Sequence, residues 1–205
     1  MRNKDWATRE RVRAYALALL SLNGVFFACI YDILEVLKLF YDIQREGTRM
    51  KVSFDLDDTL FVSPDEFETE AVPSFTYKWK YKERLRKGTI ELFERLQDMD
   101  VEIWIYTTSF RSERYIRGLF RCYGLEVESI VNGERHAKEV QGARAEAMPS
   151  KYPSRYRIDL HIDDDVSVAQ NGRVYGFKVF IVGPQDDNWT EKIVEEVERI
   201  QKIVK

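Results

Sequence analysis

Three carboxylates and a hydroxyl crowd the end of an apolar stretch in Ser53-Phe54-Asp55-Leu56-Asp57-Asp58-Thr59-Leu60. Val52 to Phe54 reads as a buried strand, and it opens directly onto Asp55, Asp57 and Asp58. Carboxylates so placed repel one another and resist desolvation. They need a counter-charge, and a hard divalent cation with oxygen ligands is the natural one. A second acidic strand end follows far downstream in Ile158-Asp159-Leu160-His161-Ile162-Asp163-Asp164-Asp165. Between the two lies a hydrophobic strand tipped by Thr107-Thr108-Ser109. Taken alone, Asp55-x-Asp57-x-Thr59 fits a solvated turn equally well. Two acid-ended strands with a hydroxyl-tipped strand between them instead fit metal-assisted phosphoryl transfer.

Such residues need a scaffold that gathers strand ends, and the periodicity from Met50 onward describes one. Lys51–Asp55 reads as the first strand and 61–87 as an irregular insertion. Thr89–Asp98 reads as a helix with Ile90, Phe93 and Leu96 on one face. Val101–Thr107 is a strand, and Ser112 then caps a helix carrying Tyr115, Ile116, Leu119, Phe120 and Tyr123 that stops at Gly124. Val127–Val131 is a further strand, 134–148 a polar stretch of no assigned form, and Pro153–Tyr156 a helical turn. Ile158–Ile162 and Gly176–Val182 complete the strands, and Thr190 caps a terminal helix carrying Ile193, Val197 and Ile200. This alternation predicts an α/β fold, a Rossmann-like parallel sheet with helices on both faces. Chemistry in such sheets sits beyond the carboxyl ends of the strands, where Asp55, Thr107 and Asp163 all fall.

Within the insertion, Phe75, Tyr77, Trp79 and Tyr81 alternate with Thr76, Lys78, Lys80 and Lys82. Period-2 spacing reads as a strand with an aromatic and a basic face. An edge strand blunted by lysines is favoured over a platform for stacking a substrate base. His161 reads as a satisfied core histidine and Trp104 as core.

The 205 residues suit one ordinary domain plus an appendage, and 44% hydrophobic with 33% charged residues allows a core and a wet surface. A net charge of −3 gives no strong nucleic-acid signal. Cys29 and Cys122 fit no redox or metal spacing, so a reducing, cytoplasmic setting is the default. The two histidines, His136 and His161, leave little material for triad or histidine-zinc chemistry.

Residues 1–49 read as a separate N-terminal helical segment. Ala14–Tyr31 is apolar behind a basic leader, and it is borderline against the roughly 20 residues needed to span a bilayer. The pattern then continues to Asp42 with Asp32, Glu35, Lys38 and Asp42 on one polar stripe. Three readings stand: an extension upstream of a true start at Met50, membrane association through 14–42, and a signal peptide.

From Met50 to the C-terminus the chain resembles the haloacid dehalogenase (HAD) superfamily, in its phosphatase branch. The resemblance rests on Asp55-Leu56-Asp57-Asp58-Thr59, then Thr107, then a lysine, then Asp163-Asp164. It implies that Asp55 attacks phosphorus to form an aspartyl-phosphate and that Asp57 protonates the leaving oxygen. It also implies Mg2+ held by Asp55, the Asp57 carbonyl and Asp164, with Asp163 orienting a metal-bound water and Asp165 a third candidate. Thr107, with Thr108 beside it, and a lysine would hold phosphoryl oxygens. Lys151 precedes the second acidic cluster as the family lysine does, and Lys138 is the alternative. An acid at position 57 goes with phosphate-monoester hydrolysis rather than dehalogenation. The alternatives are phosphoryl transfer to an acceptor other than water, and a non-catalytic module binding metal or phosphate. With the insertion at 61–87 as a minimal cap, the resemblance implies an open site for a small or macromolecular phosphorylated substrate, or closure by another subunit of an oligomer.

Overall fold

Parallel strands need crossovers, and from residue 50 the chain supplies a helix or turn between successive strands of its main sheet. The structure, a computed structural model, describes residues 49–74, 77–184 and 186–204. The apolar and amphipathic segments expected at 14–42 lie outside the described residues. Among the described residues no helix is long and apolar enough to cross a membrane.

Strand β1 (Lys51–Phe54) is followed by β2 (Phe61–Val62), the short helix α1 (Tyr77–Lys80) and β3 (Arg84–Leu85). Then come α2 (Thr89–Asp98), β4 (Glu102–Tyr106), α3 (Glu113–Cys122), β5 (Ser129–Val131) and α4 (Gly133–His136). A π-helical turn (Ala137–Gln141) and a 3-10 turn (Pro153–Tyr156) lead to β6 (Leu160–Asp163), α5 (Val166–Tyr175), β7 (Val179–Ile181) and α6 (Trp189–Val204). Five strands form one parallel sheet in the order β5-β4-β1-β6-β7, while β2 and β3 pair as a separate antiparallel hairpin. The expected α/β architecture with a parallel sheet flanked by helices is what the chain adopts.

Strand alternation splits the interior into two cores. Val52, Phe54, Ile103, Ile105 and Ile162 join the larger one with the apolar faces of α2, α3 and α6. Trp104, Tyr106 and Val131 join a smaller one under Val140, Tyr156 and Ile158. Phe93 sits at the middle of the larger core, its ring 5.2 Å from Phe54 and 5.7 Å from Phe120. Helix α3 starts where expected, with Ser112 accepting from the Tyr115 amide, and the chain leaves it at Gly124 with φ 76°.

Several expectations are corrected. The aromatic–lysine run is no strand: Tyr77–Lys80 is a helical turn, and residues 75 and 76 are outside the described ones. Tyr77 and Tyr81 share a face in either geometry, but only a helix turns Trp79 outward, where it is 83% exposed. Packing decides the matter, because Tyr77 meets both Tyr81 and Tyr123 with ring centroids 5.2 Å apart. The insertion is not irregular throughout, since its ends close as the β2–β3 hairpin. In the stretch left unassigned, 134–148, the chain forms the rest of α4 and the π-helical turn. Thr190 lies inside α6 rather than capping it, because the first helical bond already runs from the Lys192 amide to the Asn188 carbonyl. Helix α5 was not expected from the sequence at all.

Replacing Phe93 by Ala should destabilise the fold by about 3–5 kcal/mol, through lost burial and the cavity left between two rings. Urea denaturation of the two proteins reads this directly; a loss well under 1 kcal/mol would show that the larger core is not built around this ring.

Candidate active site

Register forces two carboxylates together. Strands β1 and β6 pair with Ser53 opposite His161 and Phe54 opposite Ile162, so the next residues, Asp55 and Asp163, leave the sheet side by side. Side-chain alternation also puts Ser53, Asp55, His161 and Asp163 on one face of the sheet, with Trp104 and Tyr106 of β4. Ser53, His161 and Asp163 are fully buried and Asp55 nearly so.

Lys151 answers this charge. Its Nζ lies 2.6 Å from Asp163 Oδ2 and 2.9 Å from Asp55 Oδ1, and the side chain is buried. The aligned hydrogen bond goes to Asp163, whereas Asp55 Oδ1 is in ion-pair range but accepts no directed bond. The backbone beside the lysine is pinned, since the Tyr152 amide donates to the Tyr106 hydroxyl at 2.9 Å. His161 completes the arrangement, with Nε2 2.9 Å from Asp163 Oδ2 and Nδ1 2.8 Å from the Ser53 hydroxyl. Burial lowers the His161 pKa, so a neutral ring donates from Nε2 and accepts the Ser53 proton at Nδ1.

The two carboxyls are driven apart in acidity. Burial pushes Asp55 up to about 7; Lys151 opposes the rise and the charge on Asp163 reinforces it. Burial would raise Asp163 too, but His161 and Lys151 overcome it and hold that group at about 2. Lys151 stays protonated, because Asp55 and Asp163 outweigh the cost of burying it and raise its pKa.

A tight turn after Asp55, closed by the Leu60 and Phe61 amides on the Leu56 carbonyl, carries Asp57 and Thr59. The turn needs Asp58 in the left-handed region at φ 62°, a conformation that aspartate tolerates better than most residues. Thr59 donates to Asp164 Oδ1 at 2.9 Å and fixes that carboxylate near the pair. Asp55, Asp163 and Asp164 each bring an oxygen to within 4.8 Å of the others. Asp163 is committed, with Oδ2 on Lys151 and His161 and Oδ1 accepting from the Asp165 amide. Asp55 and Asp164 retain oxygens for a ligand. A hard cation suits this set of carboxylate oxygens. Asp165 instead caps α5, accepting from the amide and hydroxyl of Ser167.

Thr107 is buried just past β4, its oxygen accepting from the Ser109 amide at 3.1 Å, while the Thr108 side chain is exposed. Lys138 lies on the exposed surface of the π-helical turn, so of the two candidate lysines only Lys151 joins the acidic cluster. Asp57 is half-exposed and pairs with Arg111 at 2.8 Å. Arg111 also meets Glu83 of the insertion at 2.8 Å, and Tyr115 donates to the other Glu83 oxygen at 2.6 Å. Burial would lift Glu83, but the bonds from Tyr115 and Arg111 hold it below its ordinary value. Sequence reasoning missed Arg111 and Glu83, as well as the bonds that Ser53 and Thr59 make; the one signal available was Arg111's place just after the Thr107 strand end. The loop carrying Arg111 packs tightly on α4: the Gly133 amide donates to the Ser109 carbonyl, and a Cβ at Gly133 would come within 2.6 Å of the Thr108 carbonyl oxygen.

No protein-family model and no curated protein matches the chain. Among solved structures, it is similar to the HAD domain of an effector protein from Legionella pneumophila, an inactive mutant, at 18% identity and a TM-score of 0.44. That match covers 72% of this chain and 92% of the other. A HAD-superfamily hydrolase of subfamily IA from Geobacter sulfurreducens is similar at 13% identity and a TM-score of 0.46, covering 72% and 99%. An uncharacterized protein from Listeria monocytogenes is similar at 15% identity and a TM-score of 0.40, covering 63% and 76%.

Cation binding should be coupled to proton release. With Asp55 held at about 7, a divalent cation that needs its ionised form should displace close to one proton per ion near pH 6 and almost none above about pH 8. Affinity should therefore rise with pH and level off above about pH 8. Calorimetric titration in buffers of different ionisation enthalpy counts those protons, and an equal count at both pH values would refute the linkage.

Proposed function

We propose that this chain is a Mg2+-dependent phosphatase of the HAD superfamily, hydrolysing phosphate monoesters through an aspartyl-phosphate on Asp55. The observation that carries this reading is the buried Asp55 carboxylate at the carboxyl end of β1, beside Lys151 and within reach of Asp164. A carboxylate in that setting is a nucleophile with its counter-charges already in place.

Asp55, once ionised, attacks phosphorus in line with the leaving oxygen and becomes an acyl phosphate. Asp57, exposed at the mouth of the site, gives its proton to the departing alkoxide. It then takes a proton from the water that attacks the acyl phosphate, which returns Asp55 and releases inorganic phosphate. Lys151 spreads its positive charge over the phosphoryl oxygens as well as over the two aspartates. Thr107 accepts from the Ser109 amide, which leaves its own hydroxyl proton to be donated to a phosphoryl oxygen. Asp55, the Asp57 carbonyl and Asp164 would hold Mg2+, which when bound neutralises charge on the transferring group. Asp163 keeps Lys151 in position. The hairpin of β2 and β3 is short, which suits an open site and a bulky phosphorylated substrate, small or macromolecular.

An aryl phosphate assay tests this. The protein should turn over p-nitrophenyl phosphate with Mg2+ and lose that activity with a chelator. Asp55→Asn should lower kcat by about 10³-fold or more with an unchanged circular dichroism spectrum, since the amide is near-isosteric but not nucleophilic. Activity in Asp55→Asn comparable to the parent, or no turnover across a broad phosphorylated panel with metal bound, would overturn the mechanism.

A further inference from the structure

Arg111 is constrained from several sides at the mouth of the site, and the mechanism above gives it no task. Its NH1 lies 2.8 Å from Asp57 Oδ2 and 2.7 Å from Ser109 Oγ, and its Nε lies 2.8 Å from Glu83 Oε1. The guanidinium stands over the Phe61 ring at 5.8 Å, and the backbone is fixed by Asn132, whose amide donates to the Arg111 carbonyl at 3.0 Å. Glu83 is held in turn, its carboxylate by the Tyr115 hydroxyl at 2.6 Å and its carbonyl by the Tyr77 hydroxyl at 2.9 Å.

Two facts decide what this arrangement is for. Glu83, held ionised by its bonds, already balances the charge of Arg111 even when Asp57 carries a proton, so Arg111 is a poor receptor for a substrate anion. The Asp57 end of the pair is half-exposed, where an ion pair adds little to stability but a fixed guanidinium still fixes direction. We infer that Arg111 is the positioning residue for Asp57: it holds Oδ2 and leaves Oδ1 to carry the proton, and so transmits the geometry of the insertion, through Glu83, to the carboxyl group that protonates the leaving oxygen. The inference rests on the phosphatase reading of the site. It makes the insertion a brace for the acid rather than a cover for the substrate.

The test compares kcat and KM for p-nitrophenyl phosphate, whose leaving group scarcely needs a proton, with those for glycerol phosphate, whose alkoxide does. Arg111→Ala should lower the alkyl-to-aryl ratio of kcat/KM about tenfold or more, through kcat rather than KM. Glu83→Gln should move the ratio the same way by less, and Arg111→Lys should restore part of it. In an Asp57→Asn background Arg111→Ala should change the ratio no further. Equal loss on both substrates, tracking a lowered melting temperature, would make the residue structural and overturn the inference. A rise in KM at constant ratio would make it a phosphoryl ligand, with the same consequence. A wild-type protein inactive on both substrates overturns the phosphatase reading and the role of Arg111 with it, whereas an active wild type whose ratio ignores Arg111 overturns the inference alone.

Discussion

Two carboxylates leave adjacent buried strands in register, and one lysine stands between them. The pairing of β1 with β6 leaves Asp55 and Asp163 no choice but proximity. Two like charges at a buried site cannot both persist without a partner, so the surroundings are organised around Lys151. This explains why a strand otherwise built from Val52 and Phe54 carries Ser53, and why His161 interrupts Leu160 and Ile162. Both polar residues lie on the carboxylate face, each satisfies the other, and His161 passes the bond on to Asp163. The sheet is therefore apolar on one face and hydrogen-bonded on the other near the site. Truncating a buried ion-paired residue of this kind leaves its partners' charge uncompensated, a penalty of about 3–5 kcal/mol. One lysine against Asp55, Asp163 and Asp164 also leaves a negative surplus, which is the electrostatic case for a cation.

The division of labour between the carboxylates follows from their surroundings. Asp163 is saturated by three donors and held at about 2, so it serves as a fixed negative post for the lysine. Asp55 is poorly hydrogen-bonded and raised to about 7, and it is therefore the group whose charge state a ligand can change. Identical side chains one strand apart thus acquire opposite properties. Hydrogen bonding and neighbouring charge make the difference, since burial pushes both in the same direction.

What the sequence made legible was local or periodic. Asp55 and Asp163 were visible because they end apolar runs, and the α3 cap because Ser112 and Gly124 bracket an amphipathic stretch. The brace of Asp57, Arg111 and Glu83 was not, because it joins the first strand end, the insertion and the loop past β4, and no spacing rule links such distant positions. The run from Tyr77 to Tyr81 misled because residues four apart share a face in both helix and strand; only Trp79 distinguishes them, and its direction depends on Tyr123 being available for packing. Helix α5 escaped notice because Val166–Tyr175 buries little beyond Val168 and Gly172, too narrow a stripe to show as an apolar face.

Gly133 sets the height of the site loop. Its amide bonds to the Ser109 carbonyl, and its missing Cβ is what lets the Thr108 carbonyl settle onto the start of α4, with the exposed Phe110 ring lying across it. The loop is thus seated by main chain on main chain, with Asn132 adding a further tether at Arg111. A seat made of backbone is blind to the side chains that the loop displays. Phe110 can be exchanged in a lineage without displacing Thr107 or Arg111, whereas any larger residue at 133 would lift the whole loop. The scaffold therefore separates a position on the loop that is free to change from one beneath it that must stay still.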